Sequence, residues 1–256
     1  MTLTADLTGQ RILVTGASSE GFGAHFARVL AKCGVHVVVA ARRLEALEAL
    51  VAEITQAGGS ASAVRMDVAD LASVRDAIAA AGAITTCINN AGVAVTKRAL
   101  DQTEADYDFV MDTNLKGAWN VATEAAKVMR DSGGVGGRGG NIINIASITG
   151  FQTAAGTGPY AMSKAGVLHM TRQLAMELAR FKIRVNALAP GYFLTDINRD
   201  QLAGEAGEPL RKRIAMRRYG ELSDLDGPLL LLVSDASRFM TGSILTVDGG
   251  HLVGSL

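Results

Sequence analysis

The chain has 256 residues, 48% of them hydrophobic, and its 25 basic residues balance its 25 acidic ones. This size and hydrophobic content predict one well-buried α/β domain over residues 1–256. The balanced charge and the lack of a basic run argue against nucleic acid or an anionic membrane as a partner and favour a small molecule. Because the sequence has no apolar run of about 18 residues and no signal-like start, we expect a cytoplasmic protein.

The cysteines and histidines give no sign of a metal site. Cys33 and Cys87 lie in apolar segments, where a thiol usually packs as a small hydrophobic side chain. We therefore predict two free thiols rather than a disulfide or a metal pair. The four histidines are scattered and match no metal-binding motif, so we predict no metal ion.

The predicted elements begin with a strand, a glycine-rich turn and a helix. Residues 11–15 (RILVT) are a β-branched run that predicts a strand, and residues 24–33 have helical periodicity. A turn of this kind lets the backbone approach a pyrophosphate, to which the start of the helix offers unpaired N–H groups. The candidate cofactor residues of this turn are Gly16, Ser18, Ser19, Glu20, Gly21, Phe22 and Gly23.

The second predicted strand ends at a basic residue that bears on the choice of cofactor. Residues 35–41 (VHVVVAA) form an apolar run typical of a strand buried on both faces, and Arg42 follows. An acidic residue there would accept a hydrogen bond from the ribose 2′-hydroxyl of NAD, whereas a guanidinium can pair with the 2′-phosphate of NADP. We therefore predict NADP(H) in preference to NAD(H). Two alternatives are that Arg42 only begins the next helix in solvent, and that Glu20 cancels its charge.

Helices and strands alternate along the rest of the chain. The remaining predicted helices are 43–57, 71–81, 103 to about 129, 159–180 and 224–235, and the remaining strands are 60–66, 84–88, 141–147, 183–189 and 243–250. This alternation predicts an α/β fold with a Rossmann-type, doubly wound parallel sheet of about seven strands and helices on both faces. The glycine-rich residues 131–140 are predicted to form a flexible surface loop.

Three residues of the middle region form a candidate catalytic set. Tyr160 and Lys164 are four residues apart, so a helix would place both on one face, roughly 6 Å apart along its axis. An ammonium group beside a phenol favours the phenolate, and we expect it to lower the pKa of Tyr160 toward neutrality. Ser147, at the end of the fifth strand, is placed to hold the oxygen of a substrate. Tyr160 is thus predicted to act as the acid or base.

The chain resembles the short-chain dehydrogenase/reductase family in three features. These are the set of Ser147, Tyr160 and Lys164, the glycine-rich turn, and the sequence Asn89-Asn90-Ala91-Gly92 after the fourth strand. The resemblance covers nearly the whole chain. It implies an enzyme that interconverts a ketone and a secondary alcohol by hydride transfer with NAD(H) or NADP(H). The family's turn reads T-G-x-x-x-G-x-G, and this chain has one residue more. We expect the extra residue, near Ser19 or Glu20, to bulge over the adenosine ribose.

The resemblance also implies roles for single residues. Asn114, a residue type that is unfavourable inside a helix, would bind a water that connects Lys164 to solvent, and so belongs to the catalytic set. Lys164 would also hold the hydroxyls of the nicotinamide ribose. Asp67 would bind the adenine amino group and Val68 would cover the ring. The other implied cofactor residues are Asn90, Ala91, Gly92, Pro190, Gly191, Phe193 and Thr195.

The substrate and the assembly are less closely defined by the sequence. Residues 192–220 are charged and irregular, and are predicted to form a substrate lid. A non-sugar ketone is favoured by the apolar residues Ile148, Phe151, Ala154, Tyr192 and Phe193. A 3-oxoacyl carrier-protein reductase, a sugar or polyol dehydrogenase, and a non-catalytic dinucleotide sensor or scaffold remain alternatives. The apolar last helix and strand fit a homotetramer or homodimer, or packing within one chain.

Overall fold

Seven parallel strands form one sheet at the centre of the protein. The computed structural model describes residues 5, 7–133, 139–195, 202 and 207–254. The strands are β1 (Arg11–Thr15), β2 (His36–Ala41), β3 (Ser60–Arg65), β4 (Thr86–Asn89), β5 (Gly140–Ile145), β6 (Ile183–Pro190) and β7 (Ile244–Val247). Their order in the sheet is β3-β2-β1-β4-β5-β6-β7, and every pairing is parallel. The predicted seven-stranded Rossmann-type sheet is confirmed.

Helices cover both faces of this sheet. They are α1 (Phe22–Ala31), α2 (Leu44–Gln56), α3 (Leu71–Ala81), α4 (Glu104–Met111), α5 (Gly117–Ser132), α6 (Gly158–Leu178), α7 (Glu208–Arg213) and α8 (Asp226–Val233). One apolar core joins α3, α5 and α6 to the sheet, and a second joins α1, α2 and α8 to its other face. The inner strands are apolar on both faces because each face packs against helices.

The strand order reverses between β1 and β4, and this is where the site forms. In open parallel sheets, the loops that leave the carboxyl ends of two such strands diverge and leave a crevice for a ligand. The loop after β1 is the glycine-rich turn, and the loop after β4 begins at Asn90. Ser147 lies two residues beyond the end of β5, on the same edge of the sheet.

The structure differs from the sequence prediction in the long helix at 103–129. The predicted capping box is present, with Thr103 and Asp106 each bonding the backbone of the other. However, α4 ends at Met111, a π-helical turn occupies Asp112–Lys116, and α5 follows. Asn114 lies in this turn, where its side chain bonds the backbone of another segment. A side chain that competes for backbone groups is a recognised cause of such local rewinding.

Other expectations concern the cysteines, the loops and the membrane. Cys33 and Cys87 are buried free thiols, as predicted. Most of the predicted loop at 131–140 and much of the predicted lid lie outside the described residues, because 134–138, 196–201 and 203–206 are not among them. Within the described part of the chain, no helix combines the length and the apolar character that crossing a bilayer requires, and no group of side chains has the makings of a metal site.

Candidate active site

Two glycines allow the loop after β1 to pack directly on the loop after β4. Gly16 has φ of +69°, and a Cβ atom there would lie 2.7 Å from the Cα of Ala91. A Cβ atom on Gly23 would lie 2.5 Å from the carbonyl oxygen of Gly16. Real Cβ atoms do not approach other atoms this closely, so both positions require glycine. Gly21 is different, because a Cβ atom there would have no neighbour within 4 Å.

The start of α1 is open to an anion. Gly21 is the N-cap residue, and it provides no side chain to bond the first N–H groups of the helix. The first turn also contains no acidic residue. The N–H groups and the positive end of the helix dipole therefore face open space, which fits the pyrophosphate of a dinucleotide.

Thr15 ties the two loops of the crevice together. Its buried side-chain oxygen accepts hydrogen bonds from the backbone N–H groups of Asn90 and Ala91, both at 3.0 Å. The side-chain nitrogen of Asn90 in turn donates to the carbonyl oxygen of Thr15, at 2.9 Å. Sequence reasoning gave Thr15 no role of its own, since its partners are about 75 residues away in the chain and no local pattern indicates them.

The structure brings Ser147, Tyr160 and Lys164 together. Tyr160 and Lys164 lie in the first two turns of α6, and the Ser147 hydroxyl lies close enough to the Tyr160 phenol to lower its pKa. The Oγ atom of Ser147 also accepts from the N–H and the hydroxyl of Thr149, at 3.2 and 2.9 Å. The Nζ atom of Lys164 lies 5.7 Å from the centre of the Tyr160 ring and donates to the carbonyl oxygen of Ile145, at 2.8 Å.

Burial dominates the proton affinities of this set. Lys164 is only 5% exposed, and its burial lowers the pKa of the amine from 10.5 to about 8. Burial also raises the pKa of the Tyr160 phenol, an effect that the Ser147 hydroxyl opposes and the nearby Tyr192 phenol reinforces. The sequence predicts that the lysine lowers the pKa of Tyr160. In the protein alone, the pKa of Tyr160 is raised instead, because burial destabilises the phenolate more than the neighbouring groups stabilise it.

Asn114 joins the π-helical turn to the segment after β4 and to α6. Its Oδ1 accepts from the N–H of Val93, and its Nδ2 donates to the carbonyl of Val93, both at 2.8 Å. The Nδ2 atom also donates to the hydroxyl of Ser163, at 3.1 Å, and that hydroxyl donates to the carbonyl of Tyr160. Gly92 separates the amide from Lys164, since a Cβ atom there would lie 3.4 Å from Oδ1 and 3.5 Å from Nζ.

Comparison with known proteins agrees with this geometry. The sequence model of a family described as Enoyl-(Acyl carrier protein) reductase matches residues 16–251. L-rhamnose 1-dehydrogenase (NAD(P)(+)) of Azotobacter vinelandii is 38% identical, over 96% of this chain and 98% of its own. The chain belongs to the short-chain dehydrogenase/reductase family. It is therefore an oxidoreductase of the group that acts on alcohol and carbonyl carbons.

Other members of the family are similar over nearly their full length. The 3-oxoacyl-[acyl-carrier-protein] reductase of Staphylococcus aureus is 35% identical, over 93% of this chain and 96% of its own. A gluconate 5-dehydrogenase from Burkholderia cenocepacia, solved in complex with NADP and tartrate, superposes with a TM-score of 0.91. It is 35% identical, and the match covers 97% of each chain. These similarities support the binding of NAD(P) at the crevice of this short-chain dehydrogenase/reductase.

The lengthened glycine-rich turn makes contacts that the sequence does not indicate. Glu20 binds Arg28 of α1 through both carboxylate oxygens, each at 2.8 Å. Arg43 also contacts the turn, donating to the carbonyl and the hydroxyl of Ser18, at 2.5 and 3.3 Å. Arg42 is exposed beside it. Sequence reasoning missed Arg28 and Arg43 because their partners lie eight and 25 residues away.

Two further cofactor candidates have structural contacts of their own. Asp67 forms a turn, accepting from the N–H of Ala69 at 3.1 Å. The side chain of Val68 is buried against Gly117, and its carbonyl accepts from the Asn120 side chain, at 3.2 Å. The surface that Val68 can offer an adenine ring is therefore small.

At the other end of the crevice, the chain after β6 is tightly packed. Gly191 passes so close to Asp248 that a Cβ atom would lie 2.7 Å from its Cβ. Phe193 is buried edge-on against the half-buried Phe22, with ring centres 5.4 Å apart, so the Phe193 side chain fills the core. Only the backbone groups of Phe193 remain for a cofactor. Pro190 closes β6, and Thr195 is the last described residue before the gap at 196.

The substrate side is less apolar than the sequence suggested. Ile148 and Phe193 are buried in the core, which leaves Phe151, Ala154 and Tyr192 as the candidates of this group that a substrate could reach. Tyr192 lines a cavity of about 350 Å³ and meets the ring of His251 edge-on, with centres 5.3 Å apart.

His251 is the polar group that the sequence did not indicate here. It is 6% exposed, and its Nδ1 atom has no hydrogen-bond partner among the described residues. Burial lowers the pKa of this imidazole, Arg213 lowers it further, and Asp248 opposes them. A neutral imidazole with a buried Nδ1 atom is thus held beside Tyr192.

Proposed function

We propose that this protein is a NADP(H)-dependent oxidoreductase that interconverts a ketone and a secondary alcohol, with Tyr160 as general acid and base. The observation that carries the proposal is the Tyr160 phenol, which lies beside the Ser147 hydroxyl and 5.7 Å, from ring centre to Nζ, from the buried amine of Lys164. All three groups lie at the carboxyl edge of the sheet, beside the crevice between the loops after β1 and β4. A protein that only bound a dinucleotide would have no need of such a set.

The chain's own residues hold and protonate the reacting oxygen. When bound, a nicotinamide dinucleotide supplies or takes up the hydride. The hydroxyls of Ser147 and Tyr160 donate hydrogen bonds to the carbonyl oxygen, which gains negative charge during reduction. Tyr160 then gives it a proton, and takes the proton back when an alcohol is oxidised. Because burial raises the pKa of Tyr160, the phenol stays protonated at neutral pH, as a general acid must.

Lys164 and Asn114 support this proton transfer. The Lys164 side chain is fixed by the Ile145 carbonyl and, in its ammonium form, has two further hydrogens, which can bond the ribose hydroxyls of a cofactor. The Oδ1 atom of Asn114 has a second lone pair besides the one that Val93 uses. A water bonded there would link the amine to solvent across Gly92 and return a proton to Tyr160.

NADP(H) is the proposed cofactor. Arg43 donates to Ser18 of the glycine-rich turn, and the exposed Arg42 precedes it at the end of β2, so guanidinium groups are available there for the ribose 2′-phosphate of NADP. The β2 strand ends in Ala41 with no carboxylate in the position that would select NAD. The relative from Burkholderia cenocepacia was solved with NADP, which supports the same choice.

For the substrate, we propose a sugar or sugar acid first and a non-sugar ketone second. Relatives named L-rhamnose 1-dehydrogenase and gluconate 5-dehydrogenase support the sugar class. The exposed Phe151 favours the non-sugar ketone. A 3-oxoacyl thioester is the third candidate, because a reductase of that class is 35% identical.

Initial rates with NADPH and NADH across these three substrate classes test the proposal. We expect turnover of at least one class, with NADPH preferred, and a loss of about 100- to 10,000-fold in kcat for Tyr160→Phe, which keeps the ring but not the proton. Binding of NADPH without turnover of any substrate would indicate a sensor or scaffold instead. Near-full activity of Tyr160→Phe would rule out the mechanism.

We also propose that the protein forms a homodimer or homotetramer. The last helix does not provide the interface by itself, because Leu229, Leu230 and Leu232 are buried within the chain. Exposed apolar side chains occur also on α4, α5 and α6, where Trp119, 45% exposed, lines a groove of about 470 Å³. We call this groove, whose apolar lining is Met111, Leu115, Trp119 and Met170, the aromatic face. Exposed aromatic side chains on a protein surface are typical of an interface with another protein chain.

A further inference from the structure

Arg28 sets the direction of the Glu20 carboxylate in the lengthened glycine-rich turn. The two terminal nitrogens of Arg28 donate to the two carboxylate oxygens of Glu20, each at 2.8 Å. The same guanidinium donates to both oxygens of Glu53 on α2, also at 2.8 Å. Bidentate contacts of this kind fix the orientation of the carboxylate as well as pairing its charge. Glu20 is therefore held along α1, toward the carboxyl-terminal part of α2.

The opposite end of α2 carries positive charge close to the same turn. Arg43 is the N-cap residue of α2 and bonds Ser18, two residues before Glu20. Arg43 and Glu53 are ten positions apart, so about 15 Å of helix separates them. Two arginines thus hold the turn. Arg28 holds Glu20 toward the carboxyl-terminal end of α2, and Arg43 holds Ser18 at its amino-terminal end.

We propose that Arg28 is a positioning residue for cofactor choice, because it holds the Glu20 carboxylate away from the ribose 2′-position. This inference rests on the proposed preference for NADP(H). A carboxylate released from Arg28 could turn toward Arg42 and Arg43, compete for their guanidinium groups and repel a 2′-phosphate. The same carboxylate would accept a hydrogen bond from the 2′-hydroxyl of NAD, so its release would not weaken NAD(H).

The charge states agree with this role. Hydrogen bonds from Arg28 lower the pKa values of both Glu20 and Glu53, so both carboxylates are ionised at neutral pH. Loss of Arg28 would leave two negative charges that its guanidinium now holds together. Because Glu20 is on a turn and Glu53 is on a helix, the glutamate that moves is Glu20.

The test is direct binding of reduced cofactor to the substrate-free protein, followed by nicotinamide fluorescence. For Arg28→Gln, we expect the Kd for NADPH to rise about three- to tenfold, the size expected for one partly screened like charge near the phosphate. The Kd for NADH should stay within about twofold or fall. The pair 2′,5′-ADP and 5′-AMP, measured by calorimetry, should show the same contrast.

Two variants separate positioning from a purely structural role. Adding Glu20→Gln to Arg28→Gln removes the released charge and should restore NADPH binding to the wild-type value. Glu53→Gln leaves the Glu20 and Arg28 pair intact and should leave both Kd values unchanged. Equal weakening of NADPH and NADH in Arg28→Gln, or no recovery in the double variant, would overturn the proposal. Wild-type protein that binds NADPH no better than NADH would contradict the proposed cofactor. The Arg28 proposal would still be judged by the change in the ratio of the two Kd values.

Discussion

Lys164 shows how a single buried amine couples the site to pH. Its pKa of about 8 in the folded protein lies below the ordinary 10.5. Between these values, the unfolded chain binds a proton that the folded protein does not, so the free energy of unfolding rises with pH. Below about pH 8, the folded protein must bury a charged amine, and this part of its stability is lost.

We therefore predict that Lys164→Met removes a pH-dependent part of the stability. Relative to the variant, the wild type should gain about 1 kcal/mol in free energy of unfolding between pH 7 and pH 9. Urea unfolding of both proteins at several pH values measures the difference. Lys32→Met, a change to an exposed lysine, is the matched control and should run parallel to the wild type. A difference between wild type and Lys164→Met that is constant with pH would contradict the prediction.

At the scale of elements, the crevice depends on the Thr15 hydroxyl that joins β1 to the loop after β4. In Thr15→Val, the N–H groups of Asn90 and Ala91 lose their acceptor while the shape of the side chain is kept. Each orphaned buried donor costs about 1–3 kcal/mol, so we predict a loss of about 2–4 kcal/mol in stability, together with weaker cofactor binding.

Chemical denaturation and NADPH titration of the same preparations measure this effect. Thr55→Val is the control, because the Thr55 hydroxyl only bonds a carbonyl of its own helix. It should change the stability by no more than about 0.5 kcal/mol. If both variants are equally stable, Thr15 does not hold the two loops together.

On the scale of the whole molecule, the proposed oligomer can be tested at the aromatic face. Trp119→Glu places a charge on this face and, if the face is the interface, should shift the protein from the mass of an oligomer to that of a single chain. Light scattering after gel filtration measures the mass. Phe239→Glu changes a fully exposed side chain elsewhere and should leave the mass unchanged. A wild-type protein with the mass of one chain would show that the aromatic face has another purpose.

The fold could be predicted because its signals are local. Apolar runs such as residues 35–41, glycine breaks and the spacing of Tyr160 and Lys164 each depend on residues near one another in the chain. The roles of Thr15 and Arg28 could not be predicted, because they arise where distant segments meet. The direction of the Tyr160 pKa shift was missed for a related reason, since burial depends on the whole assembled site.

The π-helical turn at Asp112–Lys116 has a consequence for how this family member can vary. Such a turn holds one residue more than regular winding needs. Deleting one residue there would let α4 and α5 form one regular helix, with α5 still in phase, and the side chains of the turn itself would change direction. The amide that now reaches the Val93 backbone would swing off that contact. Chain length in this short stretch is therefore constrained more strictly than the identity of its exposed side chains.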